Sequence, residues 1–224
     1  MSSGLALVSG VAIGMAAGAA LVPVTRRELA AAVARSSDTA DETAPSVVPW
    51  HRLALVLASG MLPGLVLARA GWSVIALPPL FLLLGLVPLA YCDLTQLLLP
   101  KTMVHATTAL VAVNLLVATA ATGQWHRGIA AVLCALGLFA VLLAINMVNP
   151  AWIAFGDVRL APAIGLGLAW ISPLALLQGF FLANLLAAVV GLVLMIGNRA
   201  GRKTVLPFGL FLALASAVVV FAWS

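Results

Sequence analysis

The chain has 224 residues, of which 64% are hydrophobic and 8% charged, with a formal net charge of +5 and a mean hydropathy of +1.22. No soluble core needs this much apolar surface, and the apolar runs reach the roughly 20 residues that a helix needs to cross a bilayer, so the composition excludes a soluble globular domain and predicts an integral membrane protein. The Lys and Arg residues lie between apolar runs, where they set orientation rather than bind nucleic acid, and Cys92 and Cys134 are far apart with no Cys-x-x-Cys, which indicates neither a disulfide framework nor a zinc site.

The first apolar run extends from about Leu5 to Val24, with Gly10, Gly14 and Gly18 at four-residue spacing, a pattern that places small residues on one helix face for close contact. A signal peptide is the rival reading. No Lys or Arg precedes the run and Arg26-Arg27 follow it, which favours a retained anchor with its N-terminus outside. Thr25 to Trp50 is the one long polar stretch; it carries Asp38, Asp41 and Glu42 and ends in Pro45 and Pro49, and it reads as a loop with at most a short helix around Glu28 to Arg35.

Further apolar segments follow at about 53–70, 73–92, 101–121, 128–148, 157–172, 174–197 and 205–223. Turn formers separate them at Gly71-Trp72, Pro100-Lys101, Gly123, Asn149-Pro150, Ser172-Pro173 and Gly197 to Lys203, the least marked boundary being Ile171 to Leu174. The expected fold is all-α and polytopic, with about eight transmembrane helices and both termini outside. With that orientation Arg26, Arg27, Arg35, Arg52, Lys101, Arg159, Arg199, Arg202 and Lys203 face the cytoplasm, and only Arg69 and Arg127 face out. All six Trp residues fall at segment ends, where aromatic side chains sit at headgroup level. Asn114, Asn146 and Asn184 lie inside apolar segments, and interhelical hydrogen bonds are their simplest use. Pro88 and Pro162 are expected to kink their helices or lie near helix ends.

Only six residues are acidic, and four of them, Glu28, Asp38, Asp41 and Glu42, belong to the N-terminal polar region. The other two, Asp93 and Asp157, sit where apolar segments meet polar breaks, and the orientation puts both at the cytoplasmic side. An ionisable group so placed is a functional-site hypothesis by default. Asp157 has a simpler use as a helix cap; Asp93 follows a helix, where capping explains a negative charge poorly. Two carboxyl groups brought close cannot both ionise cheaply, so one acts as base and the other as acid, and such a pair can activate water against an amide carbonyl and protonate the leaving nitrogen without metal or cofactor. Gly156, directly before Asp157, permits close approach. His105, about one turn past Pro100, could reach the aspartates, while His51 and His126 fall in other loops and suggest no metal cluster.

Three stretches carry a resemblance. Phe155-Gly156-Asp157-Val158-Arg159-Leu160 resembles the glycine-aspartate motif of the type IV prepilin peptidases, a family of membrane aspartic proteases. Asp93 with Pro100 seven residues on is similar to the family's first catalytic aspartate and the proline after it, and Pro207-Phe208-Gly209 is similar to the segment that opens the family's last helix. The resemblance covers most of the chain after about Leu53. It implies catalytic Asp93 and Asp157, with Gly156, Arg159, Pro100, Lys101, Pro207, Phe208 and Gly209 supporting the site. It also implies a peptidase domain over 53–224, preceded over 1–52 by an anchor helix and cytoplasmic loop. The substrate would be a prepilin or pseudopilin, cleaved at the cytoplasmic face of the inner membrane.

The chain departs from the family pattern at Ala154, where a glycine is usual, at Arg159, where lysine is usual, and at Leu210, where a second proline is usual. The first loop lacks the cysteine pairs that bifunctional members associate with zinc and N-methylation, so neither activity nor cofactor is expected beyond the peptidase. Lys101, Arg159, Arg199, Arg202 and Lys203 would border the site and raise the local potential, and they serve equally as orientation signals. Three other readings use the same residues: a proton- or cation-coupled transporter, a catalytically dead assembly scaffold, and a presenilin-like intramembrane protease. The first is disfavoured by the lack of internal repeats, the second by retention of both aspartates, and the third by the lack of a proline-alanine-leucine motif.

Overall fold

Inside a bilayer every backbone N–H and C=O must be paired within the protein, so apolar segments of this length fold as helices. The computed structural model describes residues 11–12, 23–25, 27, 30, 66, 73–96, 99–150, 152–197 and 208–223, and no strand occurs among them. Six helices are defined from end to end: α1 (Leu77–Gln96), entered through a 3-10 turn over Val74–Ala76, α2 (Lys101–Thr122), α3 (Trp125–Val148), α4 (Phe155–Ile171), α5 (Pro173–Ile196) and α6 (Phe208–Trp223). They correspond to the third to eighth apolar segments. The first two segments and the polar stretch between them fall almost wholly outside the described residues, as do Pro207 and most of the connection between Gly197 and Lys203. Among the described residues four spans, Val74–Leu94, Lys101–Thr122, Trp125–Val148 and Pro173–Ile196, are long and apolar enough to cross a membrane, which points to a membrane protein.

The breaks between helices follow local chemistry. Gly123 ends α2 in the left-handed region at φ 67°, a conformation that costs a residue with a Cβ and costs glycine little. Ser172 serves two helices at once: its extended backbone ends α4, its hydroxyl accepts from the Leu174 amide at 3.2 Å, and Pro173 opens α5 in the position where a missing N–H loses nothing. That resolves the boundary the sequence marks least. Pro88 and Pro162 both lie inside helices.

The helices are arranged around α4, which packs against every one of the other five. Every residue from Ala163 to Trp170 is buried, although α4 has no polar face to separate from an apolar one. Leu160, Ile164 and Leu168 of α4 share one core with Leu82, Leu86 and Leu89 of α1, Val104 and Val111 of α2, Ala131 and Ala135 of α3, and Phe211, Ala215 and Val220 of α6. The outer faces are apolar as well: Leu116 is 61% exposed, Leu133 63% and Phe181 69%. A bundle with leucine and phenylalanine outside and its two central carboxylates buried is built for lipid on its flanks.

Two sequence expectations change here. Trp170, at the end of its helix, does not face lipid: it is buried at 1% exposure and its indole N–H donates to the Ile75 carbonyl at 2.9 Å, tying the end of α4 to the start of α1. Among the described residues Asn114, Asn146 and Asn184 make no bond between helices either. Asn114 and Asn184 donate back to the carbonyls of Leu110 and Phe180 one turn earlier in their own helices, and Asn146 donates to the Ile153 carbonyl in the loop after α3. A side-chain amide in an apolar helix finds the i−4 carbonyl within reach without waiting for a neighbour.

Between lipid-bathed helices the association is driven by close packing rather than by removal of apolar surface from water. The α3–α4 contact is therefore decided by Gly165, where a Cβ would fall 2.4 Å from the Ala135 Cα. Because backbone cannot yield as a side-chain tip can, Gly165→Ala is expected to lower stability by about 2 kcal/mol or more, whereas Gly137→Ala, on the same helix pair with no atom within 4 Å, is expected to be neutral or stabilising. Unfolding of both variants in mixed detergent micelles measures the difference.

Candidate active site

Asp93 lies in the last turn of α1, where the negative end of the helix disfavours a carboxylate. The sequence ends this segment at residue 92; the helix instead continues to Gln96 and carries Asp93 inside it. The compensation comes from 117 residues further along the chain. The Leu210 amide, in the first turn of α6, donates to Asp93 Oδ2 at 3.2 Å, and the neighbouring Gly209 amide is also directed at the carboxylate. These first-turn N–H groups have no partner within their own helix, and together with the positive helix end they make an anion site. The carboxylate thus caps a helix, though not its own.

Gly209 is what allows this approach. A Cβ there would lie 2.9 Å from Asp93 Oδ2 and 3.2 Å from its Cγ. Phe208, the first residue of α6, packs half-buried against the central core and fixes the start of the helix. Pro207 lies outside the described residues. Leu210 makes this bond through its backbone N–H, which a proline at this position would lack.

Asp157 is set by α4. Ala154 is the residue that precedes the helix and its side chain offers no cap, so Asp157 is the third residue of the helix, not the cap expected by the simpler reading. Its amide donates to the Ala154 carbonyl at 3.0 Å, and its side chain turns inward, leaving the residue 6% exposed, the same value as Asp93. The two carboxyl groups lie close enough to interact electrostatically. Among the described residues none donates a hydrogen bond to Asp157 and none forms an ion pair with either aspartate. One carboxyl is therefore held by backbone amides and the other receives no hydrogen bond from the described residues.

The other residues expected at the site are distributed around it. Gly156 faces Leu99, whose Cδ1 would be 3.1 Å from a Cβ at that position, so Leu99 rests on the start of α4 beside Asp157. Pro100 is buried and begins α2 by accepting from the Val104 amide at 3.1 Å; Lys101, next to it, is exposed. Arg159 stands two residues, about 200°, around the helix from Asp157. Its guanidinium lies 4.4 Å over the ring of Phe155, a cation–π contact one turn away on the other side of α4. His105 is on the exposed face of α2 while both aspartates are buried. No set of three His, Cys, Asp or Glu side chains able to hold a metal is gathered among the described residues.

Sequence reasoning did not find Leu99, Asn146 or the Leu210 amide. Asn146 carries a legible signal, a lone amide near a helix end, and it acts by holding the Ile153 carbonyl at 2.7 Å in the loop that delivers Asp157. Leu99 is one leucine among many, and an amide has no signature in a sequence.

If the Leu210 amide is held by Asp93, Asp93→Ala is expected to speed its hydrogen exchange about tenfold or more, the value of a charge-assisted bond of 1.5–3 kcal/mol. Gly209→Ala is expected to do the same by displacing the carboxylate, and Asp93→Asn, which keeps an acceptor oxygen, much less. Site-resolved amide exchange in detergent micelles reads all three. Comparison with protein-family models, curated proteins and solved structures finds no match for the chain.

Proposed function

We propose that this protein is a membrane aspartic endopeptidase of the type IV prepilin peptidase kind, which removes the leader of a prepilin or pseudopilin at the cytoplasmic face of the inner membrane. The observation that carries the reading is the meeting of three separate motifs at one end of the bundle. Asp93 receives the Leu210 amide across the cradle of Gly209, and Leu99, beside Pro100, rests against Gly156 next to Asp157. A packing role alone would not require two buried carboxyl groups at the same end.

In this reading one aspartate is ionised and the other protonated. The ionised carboxylate takes a proton from a water molecule as its oxygen bonds to the scissile carbonyl carbon; the protonated one gives its proton to the amide nitrogen as the C–N bond breaks. Amide donors from the start of α6 favour Asp93 as the charged partner and hence the base. Asp157, without hydrogen bonds from the described residues, is the acid that reaches the leaving nitrogen. The wider arrangement belongs to the same proposal: eight crossings, both termini outside, and a substrate consisting of a short basic leader on a hydrophobic stalk helix. N-methylation of the product is not part of it.

Cleavage of a membrane-inserted prepilin reporter by the purified protein tests the reading. Asp93→Asn and Asp157→Asn are each expected to reduce the rate by about 10²-fold or more, as loss of a positioned acid or base does, with EDTA leaving the parent rate unchanged. Failure of the parent to cut, or undiminished cutting by the variants, removes the peptidase reading and leaves proton or cation transport through the same carboxyl groups as the activity to measure.

A further inference from the structure

Of the three asparagines in apolar helices, one behaves unlike the others. Asn114 and Asn184 return their side-chain amides to carbonyls four residues back, whereas Asn146, in the last turn of α3, reaches seven residues forward to the Ile153 carbonyl at 2.7 Å. The bond within the helix is the cheaper choice, since it orders nothing that the helix has not already ordered. What Asn146 holds is the entry to α4. Ile153 lies one residue before Ala154, the residue that precedes the helix, and its side chain packs with buried Val158, Leu142 and Ala161. Contact between a residue before the cap and the fourth residue of the helix is a hydrophobic staple, which fixes the angle at which the chain enters. Asp157 is the residue next to Val158 in this anchored turn.

A staple commonly accompanies a capping box, in which an acidic third residue of the helix turns its carboxylate back onto the amide of the residue before the helix. In α4 that carboxylate is Asp157 and that amide is Ala154. The bond is not made: among the described residues the Ala154 amide has no acceptor and the Asp157 carboxyl no donor. The Ile153–Ala154 peptide unit explains it. In a trans peptide the C=O and the N–H point in opposite directions. By holding the Ile153 carbonyl toward α3, Asn146 fixes the Ala154 amide on the other side, in an orientation that Asp157 does not meet. Once that hold is removed, the peptide unit can rotate and present its N–H to Asp157, and a carboxylate that caps its own helix is drawn away from the interior of the bundle.

We infer that Asn146 is a positioning residue: by gripping the Ile153 carbonyl it keeps the Ala154 amide from capping Asp157, and so keeps that carboxyl inside the bundle with Asp93. Its consequence for cleavage rests on the peptidase reading. The test uses the full chain in detergent micelles, with site-resolved exchange of the Ala154 amide measured beside cleavage of the prepilin reporter. Asn146→Leu keeps the volume and removes the donor, and Asn146→Ala removes it without adding a branch; both are first checked for parental helicity. In either variant exchange at Ala154 is expected to slow about tenfold or more, the worth of a charge-assisted bond, and adding Asp157→Ala is expected to return it to the parental rate. A residue that merely stiffened the loop would give the opposite sign, because loosening speeds exchange. In the cleavage assay Asn146→Leu is expected to lower kcat about tenfold or more with KM unchanged, as misplacement of a reacting group does. Exchange at Ala154 that is unchanged or faster without Asn146, or equally slow after Asp157→Ala is added, overturns the inference, as does a parent that cuts the reporter no faster than Asn146→Leu. A parent that cuts nothing removes the peptidase reading alone, and exchange at Ala154 still decides what Asn146 holds.

Discussion

The structure depends on a helix that is buried on every side. In water, such a helix would be held by exclusion of its apolar surface; among lipid tails that driving force is absent, and what remains is how closely neighbouring backbones and side chains can approach. Gly165 against Ala135 and Gly167 against Leu82 bring α3 and α1 onto α4 more closely than any side chain would permit. Because α4 meets all five other helices, its position fixes theirs. The carboxyl group of Asp157 near its start is carried inward with it.

This explains how a carboxylate can be tolerated at the centre of so apolar a chain. Asp157 rides into the bundle on the first turn of α4, at the positive end of the helix, while Asp93 is brought to the wrong end of α1 and made acceptable by the right end of α6. Each aspartate is placed by a helix terminus, and the termini are placed by packing around α4. Cost and function have one origin: the burial that makes a carboxyl group expensive is also what sharpens the difference between two of them.

The two ends of the bundle are electrostatic opposites. One gathers two carboxyl groups, and Arg127 lies at the other. With helices of alternating direction, each end receives both positive and negative helix termini, and the chain distinguishes them by a few side chains. Arg159, although close to Asp157 in sequence, takes no part in either set, because two residues on a helix point in nearly opposite directions and Phe155 holds its guanidinium.

Much of this was open to reading in the sequence. Helix class, the six described segments to within a few residues and the glycine turn at Gly123 follow from apolar run length and turn chemistry, both of which act locally. The role of Gly209 was marked by motif without a reason; the reason, a cradle for the Asp93 carboxylate, exists only when residues 117 apart in sequence meet. The burial of Trp170, the contact of Leu99 with Gly156 and the stacking of Arg159 on Phe155 were likewise decided in three dimensions. An apolar sequence specifies that its segments be helices, because lipid leaves the backbone no other partner; it does not specify which faces meet, because with nearly every residue apolar the pattern that would mark an inner face is missing, and only the fit of small residues against large ones decides it.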